Sequence, residues 1–442
     1  MERENSLFEK KVIKVSSLWD HHGHLSMLGA KGEKINLEKI SSPDELYEII
    51  KKEAQRRKKG EWIIGFGVNP SLWGERNCEI TILDKVSPEN PIFLERVDAH
   101  SAFVNTFSVK ISQLSLKKNC EGGFFEKKKG VFTGGITDSL VEKVVKSFEE
   151  PSEEWLKRRF KRAFAELRKN FLSGASDMML TRKEAEILQT MDKEKTLELS
   201  VLGYLKWSKN DNIPNALYKG KKYEEEGIKV FLDGALGSRG AFLKEPYSDD
   251  AGNYGIINYN EKEICEILEE CSRKNVNVSF HIIGDGALET FLNSFERTKN
   301  LKIKVRLEHL QITPEELIQR LKKIDVVISL QPSHYLSDRK WAEKRIGSER
   351  MGCSYLLKSI IFRKKTYLFG TDFPIEPPNP RRTIKGCLER KKEERISLSK
   401  ILCGMKAPKQ FLKFAKPCEI SFKSNSKNSE RCFSEIGIKY VG

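Results

Sequence analysis

The chain has 442 residues, 38% hydrophobic and 32% charged, with a formal net charge of +16. Its length suits one large domain plus a smaller one, and this balance excludes a disordered chain; no run approaches the roughly 18 apolar residues of a membrane span. The basic excess invites a nucleic-acid reading, but sixteen Lys/Arg against six Glu put +10 of the +16 into residues 381–442, where Lys and Glu interleave as in "ERKKEER" (389–395), the pattern of a solvated helix face.

The N-terminus, "MERENSLFEKKV", carries acids and no apolar stretch, so no signal peptide is expected and a cytoplasmic location is. Nine scattered cysteines, without a C-x-x-C, disfavour a zinc ribbon or a disulfide framework. "KVIKVSSLWDHHGH" (11–24) reads as one strand ending in histidines. Residues 60–135 are rich in short strands and glycines and read as an inserted, mainly-β subdomain. "SEEWLKRRFKRAFAELRKNFLSG" (152–174) has apolar residues at helical spacing and a closing glycine. Then follow "ASDMML", "LELSVLGYL", "GIKVFLDG", "VNVSFHIIG", "KVRLEHL", "DVVISLQPS" and "TYLFGTDFP", mostly separated by helical segments at 182–193, 261–274, 285–298, 314–323 and 340–361. Eight strands alternating with helices predict parallel βα units closed into a (β/α)₈ TIM-type barrel, whose functional residues gather at the carboxyl ends of the strands. An open doubly wound sheet is the alternative, but no G-x-G-x-x-G follows a strand.

Metal-capable residues fall at those strand ends. His22 and His24 alternate at the end of the first, His281 ends "VNVSFH", His309 ends "KVRLEH", and Asp372 ends "TYLFGTD". Lys229 sits inside the apolar "GIKVF". Singly, each has a plainer explanation: a satisfied core histidine, a surface lysine, a helix-capping Asp. A barrel brings them to one rim, and there imidazole and carboxylate suit zinc and other divalent first-row metals. A lysine among apolar neighbours has a depressed pKa, so its neutral amine can add carbon dioxide to give an anionic carbamate.

Here the chain resembles the amidohydrolase superfamily, and within it the family-3 metal-dependent hydrolases, which include N-substituted formamide deformylases. The matching stretches are "DHHGHL" (20–25), "GEWIIGFGVNPSLW" (60–73), "RVDAHSAFVN" (96–105), "GIKVFLDGALGSRGAFLKEPYSDDAGNYG" (227–255), "FHIIGDGA" (280–287), "RLEHLQ" (306–311), "SLQPSHYLSD" (329–338) and "FGTDFPIEPPNP" (369–380). The resemblance implies one or two divalent ions, zinc above all. His22 and His24 would hold the first, His281 and His309 the second, with Lys229 as a carboxylated bridge. Asp372 would bind the first ion and shuttle the proton. It also implies substrate-facing roles for His100 and His334, with Asp233 and Arg239 organising the loop after the lysine strand. The family's β-sandwich is reduced here to residues 1–19 and 401–442, flanking a barrel at 20–400. "GASDMML" stands where the family has a "GVTSVHD"-like strand, and "RVDAH" where "RVDGH" is common; both changes bear on substrate choice.

The implied function is hydrolysis of an amide or related C–N bond in a small N-acyl or N-formyl amine by a metal-bound hydroxide. No membrane partner is expected, and a homo-oligomer is compatible. The alternative from another class is a catalytically decayed barrel that binds nucleic acid through its basic tail; the filled ligand positions argue against decay.

Overall fold

The computed structural model describes residues 10–30, 33–74, 76–96, 101–116, 124–137, 139–148, 152–362, 364, 366–424 and 433–441. Two compact units emerge, one of residues 1–29 with 153–442, the other of residues 30–152.

The larger unit contains eight parallel strands: β1 Asp20–Gly23, β2 Gly174–Leu180, β3 Ser200–Lys206, β4 Tyr223–Phe231, β5 Asn277–Ile282, β6 Val305–His309, β7 Val327–Leu330 and β8 Tyr367–Phe369. They are hydrogen-bonded in chain order from β1 to β8. The two edges meet just beyond β8. Gly23 bridges Phe373 in parallel, the Asp372 N–H donates to the His22 carbonyl (2.7 Å), and the His24 N–H donates to the Phe373 carbonyl (2.8 Å). The sheet is therefore a nearly closed barrel.

Strands covered on both sides are usually near-continuous apolar runs; β6 is buried throughout and β5 all but its first residue, yet they bury Ser279, His281, Arg306, Glu308 and His309 among their apolar residues. The helices bury one stripe each. In Glu153–Lys169 that stripe is Leu156, Phe160, Ala163, Phe164 and Leu167, at helical spacing. Capping boxes start Arg182–Lys193 (Thr181 with Glu184) and Glu261–Lys274 (Asn260 with Glu263), each satisfying two otherwise unpaired amides.

Two expectations change. Residues 11–24 are not one strand: Lys10–Val15 pairs antiparallel with Cys418–Ser424, which pairs with Phe433–Tyr440, and only Asp20–Gly23 enters the barrel. The break follows from burial. Ile420, Cys418 and Ile438 of this terminal sheet are buried in the main core, so the first strand is recruited by a partner about 400 residues away along the chain. The helix expected over 340–361 is split into Ala342–Gly352 and Lys358–Ile361, and Gly347 inside the first piece has φ 77°, a left-handed value that interrupts a helix.

The unit of residues 30–152 contains the 60–135 stretch. Among its described residues six strands are ordered Ile35–Asn36, Ile63–Val68, Ile92–Arg96, Ser101–Val104, Val131–Thr137 and Phe125–Lys128; the first three are parallel and the others antiparallel. Helix Pro43–Arg56 buries Leu46, Tyr47 and Ile50 in one core with Ile63 and Leu94, which makes residues 35–56 part of this unit. Among the described residues, no helix is long and apolar enough to cross a membrane.

Candidate metal centre

The barrel seam builds the site. Asp20 lies buried in β1, and its carboxylate accepts from the Thr371 N–H (2.9 Å), the Thr371 hydroxyl (2.6 Å) and the His22 N–H (3.2 Å). This fixes the "GTD" turn against β1. Gly370 must be glycine here, because a Cβ would lie 2.3 Å from the His22 nitrogen. Asp372 follows at φ 61°, an uncommon conformation for a residue with a side chain. It is no helix cap; the next helix, Pro380–Leu388, is capped by Asn379.

Asp372 Oδ1 lies 2.9 Å from His24 Nε2 and 3.5 Å from His22 Nε2, and Oδ2 lies 3.7 Å from His334 Nε2. Two groups of potential ligand atoms, each within 4.8 Å, share this carboxylate: His22, His24 and Asp372, and His309, His334 and Asp372. His309 also faces His22 and His281, with ring centroids 4.8 and 4.4 Å away. His309 ends β6 at φ 73°. Lys229 in β4 is completely buried, and its Nζ has no hydrogen-bond partner. The same holds for His309 Nδ1, His334 Nε2 and His24 Nδ1.

Burial sets most of the protonation states. It pushes His22 down to about 4 and His281 to about 3, and, with neighbouring imidazoles, drives His309 well below the ordinary histidine value. Burial also brings Lys229 down to about 8, against the pull of Glu308 and Asp372. For Asp372, burial raises the pKa, but His22 and His24 outweigh it and hold the carboxyl below its usual range. Neutral imidazoles beside an ionised carboxylate are the protonation states that metal ligands require. Buried polar atoms without partners are costly unless something satisfies them. The donor set therefore fits a divalent cation.

The sequence of residues 17–405 matches the amidohydrolase family. The chain belongs to that family. It is similar to LONG AFTER FAR-RED 3 of Arabidopsis thaliana, 28% identical over 410 residues, covering 86% of this chain and 69% of that one. The Bacillus subtilis (strain 168) protein YtcJ is also 28% identical, over 393 residues, covering 84% and 72%. The N-substituted formamide deformylase of Arthrobacter pascens is 22% identical over 339 residues, covering 71% and 61%. The crystal structure of an uncharacterized metal-dependent hydrolase from Pyrococcus furiosus matches with a TM-score of 0.76 at 27% identity, covering 97% of this chain and 87% of that one.

The amidohydrolase fold thus brings together His22, His24, His309, His334 and Asp372, with His281 against His309 and Lys229 buried among charged neighbours. It groups His334 with His309 and Asp372, whereas His281 Nε2 lies 3.4 Å from the Gly234 carbonyl and 3.7 Å from Asp233. Asp233 accepts from the amides of Phe242 (3.2 Å), Ile283 (3.1 Å) and Gly284 (2.8 Å). Arg239 is bidentate to Asp249 (3.0 and 3.1 Å). Both tie down the loop after β4. His100 lies outside the described residues.

Sequence reasoning missed the polar layer around His22. Glu308 Oε2 is 2.6 Å from His22 Nδ1, Ser279 donates to Glu308 Oε1 (2.8 Å), and Arg306 pairs with Glu308 at 2.5 Å. Gln311 Nε2 lies 3.1 Å from His334 Nδ1. The available signal was Arg306-x-Glu308: two charges on one face of an otherwise apolar strand.

Proposed function

We infer that this hydrolase cleaves an amide or related C–N bond in a small N-acyl or N-formyl amine, using one or two divalent ions, with zinc the best match to imidazole and carboxylate donors. The observation that carries this reading is the set of buried nitrogens without partners around one ionised carboxylate. His22, His24 and Asp372 would hold the first ion, and His281 and His309 the second. Lys229, its amine neutral once deprotonated, would attack the carbon of carbon dioxide and release a proton to solvent, and the carbamate so formed would supply an anionic ligand in place of an ammonium. Bound there, a divalent ion polarises a carbonyl and acidifies water.

Asp372 accepts the proton of the attacking water on a carboxylate oxygen and returns it to the leaving nitrogen. His334 receives the Gln311 amide at Nδ1, which leaves Nε2–H to donate to a substrate oxygen. By the family resemblance alone His100 would face the substrate; Asp233 and Arg239 hold the loop after β4. All seven described cysteines are free thiols, which supports a reducing, cytoplasmic location.

The test is elemental analysis after chelator-free purification, with fluorogenic detection of amine released from a panel of N-formyl and N-acyl amines. One to two equivalents of divalent metal are expected, with hydrolysis lost on chelation and restored by zinc. Absence of metal, no uptake of added zinc and no amine release overturn the reading.

A further inference from the structure

His22 has two ring nitrogens in different surroundings. Nε2 is 3.5 Å from Asp372. Nδ1 is 2.6 Å from Glu308 Oε2, and both side chains are shut off from solvent. The amide nitrogen of Gln331 also lies near Nδ1, at 3.2 Å. These two neighbours make opposite demands. An ionised carboxylate only accepts, so Nδ1 must carry hydrogen to bond it; an amide NH₂ only donates, so Nδ1 would have to be bare. The shorter, charge-assisted contact decides, and charge-assisted bonds are about twice as strong as neutral ones.

Glu308 is held for this task from several strands. Ser279 of β5 donates to its Oε1, and Arg306, two residues earlier on β6, pairs with the same oxygen. Arg306 is fixed in turn by the Ser329 hydroxyl of β7 (2.9 Å) and by the carbonyl of His21, the neighbour of His22. A buried Arg–Glu pair contributes little net stability by itself. Arg306 reaches both oxygens, closely at Oε1 (2.5 Å) and only at 3.4 Å at Oε2, so the short contact to Oε2 is the one from the His22 imidazole.

We propose that Glu308 is a positioning residue that fixes His22 in its Nδ1–H tautomer and fixes its ring plane, leaving the Nε2 lone pair for a cation, with Arg306 and Ser279 holding Glu308 in place. The proposal rests on the reading of His22 as a ligand. Loss of such an outer partner costs metal affinity about 10–100-fold.

The first measurement needs no variant. In chelator-treated protein labelled with ¹⁵N-histidine, the His22 signals, assigned by their loss in His22→Ala, report which nitrogen bears hydrogen. Nδ1–H is expected; an Nε2–H tautomer overturns the proposal. The second is zinc affinity, by competition with a chromophoric chelator, for the parent, His22→Ala and Glu308→Gln. Should Glu308→Gln not fold, Arg306→Met combined with Glu308→Gln removes both charges and takes its place. Zinc binding about 10–100-fold weaker at one equivalent, together with loss of the fixed tautomer, supports the role. If His22→Ala weakens zinc binding while the Glu308 variant binds like the parent, positioning by Glu308 is overturned alone. If His22→Ala itself binds both equivalents like the parent, the ligand reading fails, and this inference with it.

Discussion

Asp372, at the seam between β8 and β1, and Asp233, in the loop after β4, are both buried carboxylates at the rim of one barrel. Asp233 meets backbone amides at 2.8–3.2 Å. Asp372 meets imidazoles at 2.9, 3.5 and 3.7 Å, and among the described residues its carboxylate receives no backbone amide. Backbone donors are placed by the fold and serve it. Imidazoles can release a carboxylate to a cation or a proton. Burial pushes Asp233 up to about 7 even with its amides, whereas the histidines hold Asp372 low despite burial. The contrast separates a carboxylate that builds the rim from the one proposed to work on it.

The largest expected effect breaks the working side. Asn keeps the shape of Asp372 and one ligand oxygen but is a poor base. Asp372→Asn should lower turnover by roughly 10²–10⁴-fold, the usual contribution of general acid–base transfer, while metal content and melting temperature stay near parental values. Turnover within a few-fold of the parent, at normal metal content, would take Asp372 out of the proton path.

On the building side the damage should appear in stability. Asp233→Ala strands the buried amides of Ile283 and Gly284 and the part-buried amide of Phe242, and each unsatisfied buried donor costs about 1–3 kcal/mol. A loss of about 3 kcal/mol or more is expected in urea unfolding. A parental midpoint would mean that the amides are satisfied without the carboxylate, and the contrast with Asp372 would collapse.

The seam itself can be loosened without touching a polar group. Gly370→Ala places a methyl 2.3 Å from the His22 nitrogen, so β1 and the "GTD" turn must part. A cost of about 1–3 kcal/mol is expected, as for other overpacked sites, with lower zinc content because His22 moves. Gly352→Ala is the control: a Cβ there meets nothing within 4 Å, and both readouts should stay unchanged.

Much of the working side is legible in the order of residues alone. His22, His281, His309 and Asp372 stand at the ends of apolar runs, and a period-2 strand in a parallel barrel carries such residues to one rim. What stays hidden depends on partners distant in the chain. The strand Lys10–Val15 belongs to a sheet whose other members lie beyond residue 417, and no local pattern separates it from Asp20–Gly23. Alternation also fails at His309, where φ 73° takes the chain out of the extended region. Counting from Val305 therefore puts Glu308 correctly on the face of Arg306 but puts His309 on the wrong one. The Glu308–His22 contact spans 286 residues, so in the sequence Glu308 is simply the residue beside a histidine.

The smallest effect tests what the working region costs the fold. Burial brings the Lys229 ammonium from its ordinary 10.5 to about 8. The unfolded chain thus holds this proton up to about 10.5, while the folded chain gives it up near 8. Between those values the unfolded state binds more protons, so stability rises with pH across the window, by at most about 1.4 kcal/mol per pH unit from a single group. Below about 8 both states are protonated, and the fold carries the full cost of a buried ammonium without a hydrogen bond. Lys229→Met removes the charge and keeps the apolar stem. In chelator-treated, carbon dioxide-free protein, the variant should be more stable than the parent at about pH 7, with the gap narrowing toward about pH 9. Bicarbonate should then shift only the parent, because only a neutral amine adds carbon dioxide. Parallel stability curves for parent and variant would show that Lys229 is already satisfied in the metal-free fold, and the lysine would join Asp233 among the residues that build the rim.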